Sequence, residues 1–276
     1  MNLLFVTDLH GTIWKYDRLF DLAKEHKADV VINGGDMLPK NGNLHDVQRN
    51  FIDGYLPEHF DRFNKAGIHY LFCLGNDDLA IFDEPCSLLS AQYPFVHEIA
   101  QKSVMINSFE FIGFNWVADY PFRLKDRCRM DTREFSFQHQ FGTGLLSGDQ
   151  GFKEIDDWIA YAKTLPTIAE ELDSLVVPQD MKKAVYVMHM PPAGLGLDKC
   201  ANGFNAGSLA VTEFIAENQP RLTLHGHIHE SPDMTGMWKG EIGRTVSIQP
   251  GQMGDLAFTI VEVEEMNIER YIIKKY

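Results

Sequence analysis

Five short groups of residues have the types and placement for metal chemistry: Asp8-Leu9-His10, Gly35-Asp36, Gly75-Asn76, His189 with Met190, and His225-Gly226-His227-Ile228-His229. Each follows an apolar segment. Neutral imidazoles and carboxylates bind metal ions, and a mixed nitrogen and oxygen set without thiolate suits Mn, Fe, Zn or similar ions. If the strands run on through these groups, His225, His227 and His229 share one face, as do Asp8 and His10, because side chains two apart point the same way.

The segments before these groups read as buried strands. Asn2 to Thr7, Asp29 to Asn33, Ile68 to Leu74 and Ala184 to Met188 are short, nearly continuous apolar runs. Between the first two, Tyr16, Leu19, Phe20 and Ala23 keep helical spacing and make a β-α-β unit. Leu44, Val47, Phe51, Ile52 and Tyr55 predict a second helix, with Pro57 as its break or the start of another turn. Leu209, Val211, Phe214 and Ile215 predict a helix just before the histidine cluster. In open α/β sheets ligands lie beyond the carboxyl ends of the strands, where these groups fall.

The rest of the chain is less regular. Short strands are expected at 103–106 and 110–114. Residues 115–150 have weak periodicity and several glycines, and predict a long loop. With helices near 155–162 and 168–175, they form an insertion at about 115–178 within a single domain spanning 1–276. The C-terminal runs at 245–248, 257–263 and 268–273 predict strands in a meander.

Composition excludes some functions without selecting one. The 276 residues carry 45% hydrophobic and 23% charged side chains and a net charge of −14, which argues against stable binding of duplex nucleic acid or an anionic membrane. A small phosphorylated substrate remains compatible with this charge. Cys73, Cys86, Cys128 and Cys200 show no C-x-x-C spacing, no apolar run reaches the ~18 residues of a membrane span, and no leader-like segment opens the chain. The expectation is a cytoplasmic protein with free thiols.

Taken together, D-x-H, G-D, G-N, a strand-end His and G-H-x-H, in that order, resemble the calcineurin-like metallophosphoesterase superfamily. The resemblance runs from Asn2 to about His229, and Gln249-Pro-Gly-Gln252 is similar to the family's loop after its final site strands. It implies an α/β fold, a four-layer α-β-β-α sandwich of two mixed sheets with two metal ions at the strand ends. By resemblance, Asp8, His10 and His229 match ligands of the first metal, Asn76, His189 and His227 those of the second, and Asp36 the bridging carboxylate. The implied reaction is hydrolysis of a phosphate ester by a metal-bridging hydroxide. A phosphodiester or nucleotide-like substrate is favoured. The alternatives are a phosphomonoesterase or protein phosphatase, and a non-catalytic interaction scaffold that keeps the fold.

The chain departs from the family in three places. Many members read G-N-H-[DE], whereas this chain has Asp77 after Asn76, a G-N-x-D pattern that resembles bacterial phosphodiesterase branches. Asp77 is therefore a candidate catalytic residue beside Asp36 and Asn76, but an ionised carboxylate repels phosphate unless a cation intervenes or its pKa rises. The acidic residue that often follows the G-D motif is missing. His225 lies outside the ligand pattern; it is expected to support the site, and is a second candidate for the missing proton donor. The run Arg123-Leu-Lys-Asp-Arg-Cys-Arg129, if extended, places Arg123, Lys125, Arg127 and Arg129 on one face that could hold an anion. Against the metal reading, Asp8 and Asp36 could serve only as helix caps.

Overall fold

The structure, a computed structural model, describes residues 1–275. The first half alternates β1 (Asn2–Val6), α1 (Ile13–Glu25), β2 (Val30–Asn33), α2 (Leu44–Gly54), α3 (Leu56–Ala66), β3 (His69–Phe72), α4 (Asp83–Ser90) and β4 (Val96–Glu98). A hairpin of β5 (Ser103–Ile106) and β6 (Phe109–Phe114) follows. Next come β7 (Val117–Ala118), β8 (Cys128–Arg129), β9 (Gly144–Gly148), β10 (Gly151–Ile155), α5 (Trp158–Ala162) and α6 (Ile168–Asp173). The chain closes with β11 (Ala184–Met188), α7 (Leu209–Asn218), β12 (Leu222–Leu224), α8 (Ser231–Thr235), β13 (Lys239–Ile242), β14 (Thr245–Ile248), β15 (Leu256–Glu262) and β16 (Asn267–Ile273).

Two six-stranded sheets result, in the orders β16-β15-β1-β2-β3-β4 and β13-β14-β12-β11-β6-β5. β1 to β4 are parallel, as are β6, β11, β12 and β14, while β15 and β13 add antiparallel neighbours. Both sheets are therefore mixed. Alternation along each strand divides its side chains between two layers. Leu3 and Phe5 of β1 and Val30 and Ile32 of β2 meet Phe111, Val185, Val187, Leu222 and Leu224 of the opposite sheet. Leu4, Val6 and Val31 point outward instead, under Tyr16, Leu19, Phe51, Phe60 and Phe63 of α1 to α3. On the far side Ile112, Tyr186 and Met188 pack with Trp158, Ile168, Leu172, Val211 and Ile215 of α5 to α7. This is the expected α-β-β-α sandwich. Strands buried on both faces need the continuous apolar runs seen in the sequence.

Two expectations are corrected. The C-terminal strands do not form a meander: β14 lies parallel to β12 in the second sheet, whereas β15 crosses to the first and pairs antiparallel with β1. Pro250-Gly251 interrupts the run, and Gly251 takes φ +76°, turning the chain between sheets. Residues 115–150 are also not one irregular loop. β7 pairs with β8, and β9 with β10 as a hairpin just beyond Gly148. Asp131, from this region, accepts the Leu209 N–H (2.8 Å) and the Ser208 hydroxyl, so it helps satisfy the start of α7. All four cysteines are free, and among the described residues no helix is long and apolar enough to cross a membrane.

Candidate metal centre

The site forms where β1, β2, β3, β11 and β12 end, along one edge of both sheets. Four of its residues leave ordinary strand geometry: Asp8, His10, Asp36 and His227 have φ of 55°, 44°, 50° and 66°. Left-handed backbone at non-glycine positions is costly and gathers at functional sites. The turns are stitched together. Asp8 and His10 donate their N–H groups to the carbonyls of Gly35 and Asp36, both at 2.9 Å, and His227 N–H donates to Asp8 Oδ1 at 3.1 Å. The last bond links the two sheets. An added Cβ on Gly226 would overlap Thr7 and approach Asp8 Oδ2 to 2.7 Å, so this crossing needs glycine.

The histidines therefore do not share a strand face. β12 stops at Leu224, and the positive φ of His227 ends the two-residue alternation. His225 turns inward, fully buried, with Nδ1 donating to the Met188 and Met190 carbonyls (3.0 and 2.9 Å) and Nε2 bonded to the Thr223 hydroxyl (2.8 Å). Burial lowers its pKa to about 4. Its two nitrogens are engaged in bracing the β11 and β12 ends, which corrects its candidacy as proton donor.

Asp8, His10, His189 and Asp77 come together around Asp36, and Asn76, His227 and His229 adjoin them. Ligand atoms of Asp8, Asp36 and His189 lie within 4.8 Å of one another, and so do those of His10, Asp36 and Asp77. Asp36 is the member common to both groups. Its Oδ1 accepts the Asp77 N–H at 2.8 Å and its Oδ2 lies 3.6 Å from His189 Nε2. Asn76 Oδ1 is 3.0 Å from His189 Nε2 and 2.5 Å from His227 Nδ1, and the His229 ring lies 5.9 Å from that of His10. The first group sets Asp8 beside His189, whereas the family resemblance pairs it with His10. Neither carboxylate caps a helix: Thr12 and Asn43 occupy the N-cap positions of α1 and α2.

These residues fit cations. Asp8 Oδ2, His10 Nδ1 and His229 Nδ1 are buried without a hydrogen-bond partner, which is costly unless another group engages them. Burial raises the Asp8 pKa, and the charge of Asp36 adds to the effect. Burial opposes ionisation of Asp36 too, but His189 and His10 hold its carboxyl well below the usual range. For His189, burial works downward, yet Asp36 and Asp8 lift its pKa to about 9, so a cation bound at Nε2 would have to displace a proton there. Burial pushes His10 and His227 down to about 3, keeping these imidazoles neutral as metal ligation requires. His189 Nδ1 faces the Gly34 carbonyl at 2.9 Å, a bond that fixes the ring and aims Nε2 at the cluster.

At the departure from the family pattern, Asp77 has a cation beside it that the sequence reading missed. Lys40 Nζ lies 3.5 Å from Asp77 Oδ2 and 2.9 Å from His10 Nε2. Burial and the charge of Asp36 push the Asp77 pKa up to about 6. Asp78, also passed over, is fully buried and accepts the N–H groups of Met37, Leu38 and Gly75 (2.8 to 2.9 Å), tying the Asp36 turn to the Asn76 turn. Its place as the last residue of G-N-x-D was the available signal. Buried Gln48 does similar work, accepting from Leu79 N–H and donating to the Asp77 carbonyl, and nothing in a helical glutamine announced it.

The expected anion-binding face at 123–129 does not form, because the segment turns rather than running straight. Arg123 reaches Thr143 and Glu154. Lys125 is buried against Asp119 at 2.7 Å. Arg127, 2% exposed, donates to the Gly75 carbonyl (2.8 Å) and pairs with Asp83. Arg129 covers the Trp116 ring at 3.6 Å and meets Glu171. Arg127 thus supports the Asn76 turn from behind.

A two-sheet sandwich carrying this histidine and carboxylate cluster defines a metal-dependent phosphoesterase. The family model described as calcineurin-like phosphoesterase matches residues 1–231, and the chain belongs to that family. No curated protein sequence matches the chain. Among solved structures, the protein TT1561 of Thermus thermophilus is similar over 99% of both chains, at 14% identity and TM-score 0.62. A dimetal phosphatase from Danio rerio is similar over 100% of this chain and 99% of its own, at 9% identity and TM-score 0.53.

Proposed function

We propose that the protein hydrolyses phosphodiesters, nucleotide-like ones included, using two metal ions held by Asp8, His10, Asp36, Asn76, His189, His227 and His229. The observation that carries this reading is the place of Asp36 in both ligand groups, one with Asp8 and His189 and one with His10 and Asp77, with Asn76, His227 and His229 adjoining them and unpartnered donor atoms on Asp8, His10 and His229. Bound ions would activate a water and neutralise charge developing on the phosphoryl oxygens. The protein's part is to position: Asp36 sits between the two ligand groups, the Gly34 carbonyl orients His189, and Asp78 keeps the Asp36 and Asn76 turns in register. Metal identity among Mn, Fe and Zn follows supply as much as this donor set.

Asp77 favours a diester over a monoester. A monoester carries nearly two negative charges at neutral pH and a diester one, so a carboxylate at the site's mouth repels the monoester more. Lys40 offsets part of that charge. The test is turnover of a bis-aryl phosphodiester and an aryl phosphomonoester by protein loaded with Mn, for the wild type and Asp77→Asn. The diester is expected to be preferred, with the preference narrowed in the variant. Preference for the monoester would overturn the diester reading, and a metal-loaded protein inactive on both would favour the non-catalytic scaffold.

A further inference from the structure

We infer that Phe122 and Phe141 form a stacking shelf beside the metal centre that binds the nucleobase of a nucleotide substrate. The inference rests on the phosphoesterase reading above and adds the class of group attached to the phosphate. Both side chains are 62% exposed, more than any other phenylalanine among the described residues, and neither belongs to a core cluster. Their rings meet edge to face, with centroids 5.5 Å apart and planes at 83°. A T-shaped pair leaves ring face open for a third aromatic partner.

The shelf is continuous with the site. The Tyr120 ring lies 5.8 Å from the His227 ring, and Phe122 lies 5.9 Å from Tyr120, so the aromatic run starts at a candidate ligand and ends in solvent. Its two supports are fastened to each other, as a binding surface requires. Phe141 N–H donates to the Pro121 carbonyl at 2.9 Å. Arg123, the residue next to Phe122, donates to the carbonyl and hydroxyl of Thr143 (3.1 and 2.8 Å). Gln140 donates to Asp119 at 2.9 Å. Two exposed apolar rings are thus held in fixed positions at the mouth of a phosphate-handling centre. A planar base attached to the phosphate through a sugar suits them, since stacking on an aromatic face needs no particular hydrogen-bond pattern and accepts any base.

The experiment compares equilibrium binding of AMP and ribose 5-phosphate to the Mn-loaded protein by titration calorimetry. The shelf predicts tighter binding of AMP by roughly 5- to 150-fold, the range that stacking on an aromatic side chain supplies. Phe122→Ala and Phe141→Ala should each shrink that ratio, while Phe122→Trp should keep it. Equal affinity of the two ligands, or a ratio unchanged in both alanine variants, would overturn the shelf. Sedimentation of the same proteins covers a different occupant: concentration-dependent dimerisation lost in Phe122→Ala, without a base preference, would also overturn it. Turnover of a bis-aryl phosphodiester, measured in parallel, reports on the phosphoesterase reading separately from base preference.

Discussion

Gly75 is where a single methyl group should disturb the site most directly. An added Cβ would overlap both the amide nitrogen and Oδ1 of Asp36, and would lie 2.8 Å from His189 Nε2. Relief requires the Asn76 and Asp36 turns to part by roughly 1 Å, because one of the overlapped atoms is backbone and no rotamer change moves it. That motion also strains the Gly75 N–H to Asp78 bond (2.8 Å) and the Arg127 bond to the Gly75 carbonyl. Overpacking of this kind costs about 1–3 kcal/mol of stability, and a misplacement of ~1 Å at a reacting centre costs about 10²-fold in rate. Gly75→Ala is therefore expected to lose about two orders of magnitude in kcat/KM on an aryl phosphodiester while remaining folded. Gly54→Ala, at a helical position with nothing within 4 Å, is the control and should be active and equally or more stable. A Gly75→Ala enzyme within threefold of wild type, with an unchanged urea midpoint, would refute the reasoning.

Two further outcomes are expected. His59 is buried among Tyr16, Phe63 and Tyr70, neither ring nitrogen has a partner, and burial lowers its pKa to about 3. The unfolded chain thus takes up this proton first, so stability is full above pH ~6.5 and falls as pH drops toward 3, by about 1.4 kcal/mol per unit. His59→Leu should lose about 2–3 kcal/mol less than wild type between pH 7.5 and 4.5 in urea unfolding, and identical losses would remove the explanation. At the mouth of the site, Lys40→Gln leaves the Asp77 carboxylate without its cation and should raise KM for an anionic phosphodiester about 3- to 10-fold. An unchanged KM would show that Lys40 does not offset Asp77.

Legibility in the sequence followed how local the cause was. β1, β2, β3 and β11 are buried on both faces, so their apolar runs announced them, and the site residues followed as the first polar groups after each run. β7, β8 and β13 were not legible. They are two to four residues long or alternate weakly, and they exist because a neighbouring strand offers backbone partners. The stretch Asp83–Ser90 hid as a helix because it contains Pro85 and few spaced apolar residues. In the site, types and order singled out the seven candidate residues, but the backbone turned where alternation was assumed. That is why His225 parted from His227 and His229, and why the four basic residues of 123–129 separated. Lys40 and Gln48 reach the site from the segment after β2, and that convergence is set by tertiary packing.

The central claim is that these seven residues hold two metal ions that the reaction requires. The most direct measurement is metal content after loading with Mn and removal of free ion, read by elemental analysis per mole of chain beside phosphodiester turnover. Two ions per chain in the wild type, with loss of both metal and activity in Asp36→Ala, is the predicted result. A wild type that retains no metal, or an Asp36→Ala variant that keeps two ions and full turnover, would contradict the account.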